Sequence, residues 1–162
     1  DALVSALPTI NTLIYSAGFH EHGHLSRMSD EHIASVVNVG LTAAALLLRR
    51  LLVKQGELPG FIAVTSTSQW RARELEPLYA ASKAGLGMLA ESVSFDPAIK
   101  KTLVVGPAGM DTPFWKGSGR SGELLSPQWV AEQTLNLWDG SFAYRLVRVL
   151  REPRRVEILA ER

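Results

Sequence analysis

Residues 61–83 read FIAVTSTSQWRARELEPLYAASK, and this stretch contains the pattern that decides the fold. The apolar run Phe61 to Thr65 is predicted to be a buried strand, because short continuous apolar runs are typical of strands covered on both faces. A polar loop follows. A helix is then predicted from about Leu78 to Ser94, since Pro97 prevents its continuation.

The same alternation of strand and helix continues on both sides of this stretch. The predicted elements are a strand at Thr12 to Tyr15, a helix from Ser29 to about Lys54 with Gly56 after it, a strand at Thr102 to Val105, a helix opening at Ser126-Pro127 and a last strand at Arg155 to Leu159. Such alternation predicts an α/β fold with a parallel sheet that helices cover on both faces. Residues 1–162 are expected to form a single domain.

Composition excludes several classes of function. Seventeen basic and sixteen acidic side chains give a net charge of +1, so neither nucleic acid nor an anionic membrane is an expected partner. The chain has no cysteine, which excludes thiolate catalysis and Cys-ligated zinc and is compatible with the expected cytoplasmic location. The longest apolar run, Leu41 to Leu48, is too short to span a bilayer and is predicted to be a buried helix.

Tyr79 and Lys83 stand four residues apart in the predicted helix. Positions i and i+4 share one helix face, so the lysine can place its charge beside the phenol. A nearby ammonium favours the phenolate and lowers a tyrosine pKa from about 10, and a pKa closer to the working pH favours proton transfer. The alternative is that Tyr79 is a half-buried aromatic residue and Lys83 its solvated neighbour.

Three further signals surround this pair. Ser66 lies thirteen residues before Tyr79 at the carboxyl end of the predicted strand, where parallel sheets bind ligands. Asn38 lies inside the long preceding helix although asparagine is a poor helix former, which suggests a specific role. The turn-rich segment GPAGMDTP follows the strand at Thr102 to Val105.

The segments LIYSAG, VVNVG, VTS, YAASK and GPAGMDTP, in this order and spacing, resemble the short-chain dehydrogenase/reductase family over nearly the whole chain. The resemblance implies a Rossmann-like, doubly wound parallel sheet and an NAD(P)-dependent oxidoreductase. Such an enzyme would interconvert an alcohol and a carbonyl on a small molecule, as a homodimer or homotetramer. Hydride transfer belongs to the cofactor, NAD or NADP, and the sequence does not choose between the two.

The resemblance also implies roles for individual residues. Tyr79 would be the general acid/base, Lys83 would lower its pKa and bind the nicotinamide ribose, Ser66 would orient the reacting oxygen, and Asn38 would support a water chain to solvent. Close approach to the cofactor is implied for Ala17 and Gly18, and contact with the nicotinamide for Pro107 and Thr112. Trp70, Phe114 and Trp115 fall in regions that border the substrate in the family, with core packing as the equal alternative.

Two departures from the family pattern are visible. The family's Asn-Asn-Ala-Gly is here Tyr15-Ser16-Ala17-Gly18, and the glycine-rich turn that receives the pyrophosphate does not appear. The resemblance therefore implies that the N-terminal βαβαβ part of the fold, on the order of 60 residues, is missing. The chain would be the retained part of a longer protein, a truncated product, or a chain completed by another. The first is favoured because the sequence starts at Asp1 rather than Met. A non-catalytic binding or structural subunit is the alternative function.

Other features receive weaker interpretations. The histidines of FHEHGH, at positions 20, 22 and 24, have no evident fourth ligand, so no metal is expected. Residues 113–125 are predicted to be a mobile loop. The arginines from Arg145 to Arg155 are predicted to form a solvated helix face. The Leu-rich helix 41–52 and the helix after Tyr79 are candidates for a subunit interface.

Overall fold

The computed structural model of the chain describes residues 2–19, 22–115 and 123–162. The strands are β1 Thr12–Tyr15, β2 Gly60–Val64, β3 Thr102–Pro107, β4 Tyr144–Arg151 and β5 Arg154–Glu161. The α-helices are α1 Ala2–Ala6, α2 Asp30–Val37, α3 Ala43–Gln55, α4 Pro77–Val93 and α5 Pro127–Trp138, and a π-helical segment, Asn38–Thr42, joins α2 to α3. Short 3₁₀ turns lie at Leu25–Arg27, Thr67–Trp70 and Pro113–Trp115.

The described strands form one sheet in the order β1-β2-β3-β4-β5. Strands β1 to β4 are parallel, so their carboxyl ends meet at one edge of the sheet. The parallel sheet that the sequence predicts is thereby observed in β1 to β4, and an antiparallel strand, β5, is added at the edge beside β4. The loops after β1, β2 and β3 therefore lie side by side at the edge where open α/β sheets bind ligands.

Helices cover both faces of this sheet. Because successive strand residues point to opposite faces, Phe61 packs with α3 and α4 on one side, whereas Ile62 packs with α5 on the other. Both side chains are buried, as are the adjacent residues of β3. This two-layer covering of a mainly parallel sheet confirms the Rossmann-like α/β architecture.

The long helix that the sequence predicts is one continuous helix, Asp30–Gln55, here called the rod, with a π-helical turn inside it. Ser29 caps its start by accepting a hydrogen bond from the His32 backbone N–H at 3.2 Å. Gly56 ends it with φ at +81°, a conformation that favours glycine. The π-helical turn begins at Asn38, the residue whose mid-helix position is unusual for asparagine. Such turns occur frequently at functional sites.

The basic run from Arg145 to Arg155 is not a helix face, and that prediction is wrong. Strands β4 and β5 form an antiparallel hairpin there. An arginine at every third position imitates a helical period, but Val147 and Val149 are fully buried against the sheet. The β-branched residues between the arginines therefore decide the structure.

Helix Leu41 to Leu48 is buried on one face only, which corrects the expectation of a buried helix. Ala44 and Leu48 are buried, whereas Leu46 is exposed. Among the described residues, the rod Asp30–Gln55 is long and apolar enough to cross a membrane by length and composition, with 28% of its most apolar 18-residue stretch buried. Core helices of soluble proteins pass the same test, so the finding decides nothing about location.

Candidate active site

A cleft of about 560 Å³, here called the first cleft, opens at the carboxyl ends of β1, β2 and β3. It brings together most of the residues that the sequence singles out. Those that line it are Gly18, Ser66, Tyr79, Lys83, Pro107, Thr112, Phe114 and Trp115. Ala17, Asn38 and Trp70 lie outside its lining.

The ammonium of Lys83 lies deep in the first cleft. The residue is only 4% exposed, and its Nζ donates hydrogen bonds to the carbonyl oxygens of Ala17 and Val64, each at 3.1 Å. Val64 is the last residue of β2, and Ala17 lies two residues after the end of the neighbouring β1, so the carboxyl edge of the sheet holds the lysine. Burial lowers the pKa of Lys83 to about 8, because the charged form loses its hydration and gains no carboxylate in exchange.

Tyr79 lies one turn before Lys83 on α4, and its ring centroid is 5.9 Å from the lysine Nζ. The ring also packs against Phe114, with centroids 5.4 Å apart, and Phe114 contacts Trp115 edge-on at 4.9 Å. The phenol is therefore placed between the ammonium and an aromatic wall. The three rings contribute an aromatic part to the lining of the cleft.

Gly18 faces Lys83 across a narrow gap. A Cβ at this position would lie 3.3 Å from the lysine Nζ, so glycine keeps open the space beside the ammonium. Ala17 contributes its backbone carbonyl to the same ammonium, at 3.1 Å. An ammonium carries three N–H donors, and two are used by backbone carbonyls, so one is available to a hydroxyl brought in over Gly18.

The Ser66 hydroxyl is held by the turn that follows β2. Its Oγ accepts a hydrogen bond from the backbone N–H of Ser68 at 3.1 Å, which leaves its own hydrogen to be donated into the cleft. Ser68 in turn accepts a hydrogen bond through its Oγ from Arg73 Nε at 3.1 Å. Arg73 also lines the first cleft. This short network links the serine to a guanidinium of the next loop.

Asn38 is exposed at the start of the π-helical segment and does not line the first cleft. The residue after it, Val39, accepts a hydrogen bond through its carbonyl from the Tyr15 hydroxyl. Tyr15 occupies the position of the first asparagine in the family's Asn-Asn-Ala-Gly pattern. The phenol thus connects the end of β1 to the π-helical segment, a contact between residues 24 positions apart that no local pattern predicts.

Trp70 lines a different space, here called the second cleft, which has a volume of about 450 Å³ and adjoins the first. Its ring lies against the backbone of Gly106, where a Cβ would come within 2.5 Å of the ring carbons. The glycine in β3 is therefore required by the tryptophan. Arg73 lines both clefts, and it was not singled out from the sequence although it lies in the loop between Ser66 and Tyr79.

Two interpretations fall partly outside the described residues. Of the FHEHGH segment, His20 and Glu21 lie there, and within residues 2–19, 22–115 and 123–162 no group of three ligand-type side chains is placed to hold a metal. The loop predicted to be mobile, 113–125, includes residues 116–122, which also lie outside them.

Comparison with known proteins identifies the family. The family model described as short chain dehydrogenase matches residues 1–121, about three quarters of the sequence, and the chain therefore belongs to that family. The resemblance seen in the sequence motifs is confirmed. No curated protein matches the chain.

Solved structures share the fold. A short-chain dehydrogenase/reductase from Vibrio parahaemolyticus is 27% identical with a TM-score of 0.59, and the match covers 67% of this chain and 55% of that one. A short-chain dehydrogenase from Sphingobium yanoikuyae in complex with NADPH is 19% identical with a TM-score of 0.72, covering 83% and 56%. A 4-hydroxyisoleucine dehydrogenase complexed with NADH and succinate is 18% identical with a TM-score of 0.73, covering 91% and 72%. The chain thus spans little more than half of the first two proteins.

Proposed function

We propose that the protein is an NAD(P)-dependent oxidoreductase that interconverts an alcohol and a carbonyl, with Tyr79 as the general acid/base. The observation that carries this proposal is the position of Lys83. Burial of an ammonium with no carboxylate partner among the described residues costs stability, so a buried lysine is a candidate for a functional role. Here its Nζ lies 5.9 Å from the centroid of the Tyr79 ring. Family membership and the first cleft support the same reading.

The first cleft fits a nicotinamide cofactor. The space beside Gly18, which a Cβ would fill, and the remaining N–H of Lys83 suit a ribose hydroxyl lying over the end of β1. Pro107 and Thr112, on the opposite lip of the cleft, would contact the nicotinamide. Relatives with this fold are complexed with NADPH or with NADH, so either cofactor suits the proposal. When bound, the cofactor would supply or accept the hydride.

Tyr79 and Lys83 would manage the proton. In reduction, the Tyr79 hydroxyl donates its proton to the substrate oxygen, and the resulting phenolate is stabilised by the nearby ammonium. In oxidation, the phenolate takes the proton back from the alcohol. Because Lys83 is anchored by two backbone carbonyls, its charge stays beside the phenol through the cycle. Positioned groups of this kind contribute about 10²- to 10⁴-fold to rates.

Ser66 would orient the reacting oxygen. Its Oγ accepts a hydrogen bond from the Ser68 N–H, and its own hydrogen can be donated to a substrate carbonyl. Asn38 would take part in proton return to solvent, a role with support only from the family motif and from its place in the π-helical segment. The aromatic wall of Phe114 and Trp115 suits the apolar part of a small organic substrate.

The wall of exposed apolar side chains on α3 and α4 supports assembly into a homodimer or homotetramer. Leu46, Val53 and Met88 lie exposed on these helices, and Phe95 follows α4 directly. Exposed apolar side chains that lie together are typical of a surface that is covered in an assembly.

The test of the proposed function is Tyr79→Phe. This change removes the transferable proton and keeps the ring that packs against Phe114, so turnover should fall at least about 100-fold while cofactor binding persists. Turnover with a panel of ketones and alcohols is measured by nicotinamide absorbance, and cofactor binding by calorimetry.

The matched control is Tyr144→Phe, which removes the hydroxyl of a buried tyrosine that contacts Glu91 at 3.3 Å, away from the cleft. This variant should keep its turnover. If Tyr79→Phe retains turnover within threefold of the wild type, the assignment of Tyr79 is wrong.

A further inference from the structure

The second cleft adjoins the first and is dominated by positive charge. Its lining comes from the loop after β2, the end of β3 and the end of β4, and four of the residues are arginines against a single carboxylate. These are Arg71, Arg73, Arg148, Arg151 and Glu152. Thr67, Arg73, Ala108 and Gly109 line both clefts, so the two spaces share a boundary.

Most of this charge is not neutralised by carboxylates within the part of the chain that the structure describes. Arg73 is bound only through its Nε, to the Ser68 hydroxyl, and forms no ion pair there. Arg148 pairs with Glu157 at 2.6 Å, but Arg155 binds the same carboxylate, so one negative charge serves two guanidiniums. The pair of Arg151 with Glu152, at 3.4 Å, is on the surface and therefore weak.

Two of the guanidiniums are held in place before any ligand arrives. The bond from Arg73 Nε to Ser68 leaves the two terminal nitrogens as donors, and the fork of a guanidinium matches the two oxygens of a carboxylate or phosphate. Arg148 lies over the Trp70 ring at 5.9 Å, and that ring is fixed against Gly106. The Arg148 Nε and Nη2 already donate to Glu157, at 2.9 and 2.6 Å, so Arg148 offers an anion its remaining terminal nitrogen. Preorganised donors of this kind lose little entropy when they bind an anion.

The second cleft extends the first cleft away from β1. It begins at Ala108 and Gly109, beside the expected nicotinamide contacts Pro107 and Thr112. Its far side, at Arg148 and Arg151, is on β4, three strands from β1, or roughly 14 Å at about 4.8 Å per strand. An anionic group there belongs to a molecule that extends from the first cleft in the direction opposite to β1.

We propose that the second cleft binds an anionic group, a carboxylate or a phosphate, carried by the substrate at the end remote from the reacting oxygen, with Arg73 as its main ligand. The proposal rests on the proposed function for its substrate, but the anion site itself is testable without turnover. Arg73 is a specificity-determining residue, connected to Ser66 through Ser68 and placed where the two clefts meet.

Calorimetric titration with inorganic phosphate and with malonate tests the site directly. The wild type and Tyr79→Phe should bind at least one of these anions, and Arg73→Gln should bind it at least tenfold more weakly. The comparison of the two anions distinguishes a phosphate site from a carboxylate site. Arg49→Gln is the matched control, because it removes the same charge from the exposed face of α3 and should leave binding unchanged. Equal weakening in both arginine variants, or no binding of either anion to the wild type, would overturn the proposal.

Turnover then shows whether the anion belongs to the substrate. A keto acid and its methyl ester are compared by kcat/KM, and the wild type should prefer the acid at least tenfold. Arg73→Gln should lower kcat/KM at least tenfold more on the acid than on the ester, and Arg73→Lys should restore part of the preference for the acid. An equal loss on both compounds would mean that Arg73 is merely structural and would contradict its role. Anion binding without any turnover would refute the proposed function alone, and turnover without anion binding would refute the anion site alone.

Discussion

In the first cleft a single ammonium, that of Lys83, is 4% exposed and is held by two backbone carbonyls, whereas the second cleft is lined by four solvent-accessible guanidiniums. Burial changes a proton equilibrium, and it lowers the pKa of Lys83 to about 8. Exposed guanidiniums keep their protons and instead attract anions. Under the two proposals above, one edge of the sheet places proton transfer and anion binding side by side, and they differ in how far each charge is from water.

The largest expected effect is on turnover in Lys83→Met. This change removes the one buried charge of the first cleft, so turnover should fall at least about 100-fold, while the protein still folds because methionine fills a similar apolar space. Steady-state kinetics and circular dichroism measure the two outcomes. Removing one of several arginines from the second cleft should instead lower the turnover of one class of substrate only, the anionic one.

The matched control for this change is Lys100→Met, at an exposed lysine that pairs with Glu57 at 3.3 Å. Its turnover should equal that of the wild type. If Lys83→Met turns over as fast as Lys100→Met, the buried charge of the first cleft does not act in turnover, and the proposed difference between the two clefts is wrong.

The second effect is on stability as a function of pH. Between pH 8 and 10.5 the unfolded chain holds a proton on Lys83 that the folded chain has released, so stability should rise with pH across this window. A lowering from 10.5 to about 8 corresponds to about 3 kcal/mol. Urea unfolding of the wild type and of Lys83→Met, compared at each pH from 7 to 11, cancels the contributions of all other groups.

The free energy of unfolding of the wild type should therefore increase relative to that of Lys83→Met as the pH rises. Parallel curves across the whole range would show that Lys83 titrates in the folded protein as it does in the unfolded chain. The claim that the Lys83 ammonium is buried in the first cleft would then be wrong.

The smallest effect is expected from Gly40→Ala, which tests the packing behind the first cleft. A Cβ at Gly40 would lie 2.5 Å from the Cβ of Ser82, the residue before Lys83, so α4 must shift. Overpacking of this kind costs about 1–3 kcal/mol and should also lower turnover. Anion binding should be unchanged, because no residue of α4 lines the second cleft.

Gly85→Ala is the matched control on the same pair of helices. Its Cβ would meet only the tip of Leu41 at 3.1 Å, which can move, and the gain in helix propensity offsets the contact. Thermal unfolding should therefore show little change for this variant. Equal destabilisation of both variants would mean that the packing at Gly40 and Ser82 is no tighter than that at Gly85 and Leu41.

Much of the fold follows from local signals in the sequence. Ser29 and Ser126 cap helices where the sequence predicts helix starts, and Gly56 ends the long rod. The alternation of apolar runs with helical segments indicates the sheet. The sequence predicts β5, at Arg155 to Leu159, but not its partner β4. Arginines spaced three apart imitate a helical period in β4, and the competing signal, burial of Val147 and Val149, depends on β3 as a neighbour.

The candidate site also has one part that local sequence patterns predict and another part that they do not. The i, i+4 spacing predicts that Lys83 lies near Tyr79, and the structure places both in one cleft with Ser66. The carbonyls of Ala17 and Val64 that hold the lysine, the contact of Tyr15 with Val39, and the second cleft come from residues distant in the sequence. Contacts of this kind depend on strand order, which no local pattern contains.

The pKa of the Lys83 ammonium in the folded protein tests the central claim most directly. Carbon-13 NMR of the lysine ε-carbon, assigned by comparison with Lys83→Met, follows this group alone through a pH titration. A midpoint near 8 is the result that a buried ammonium beside Tyr79 predicts. A midpoint at the ordinary lysine value of about 10.4 would show a solvated side chain, and the proposed proton-transfer site would be contradicted.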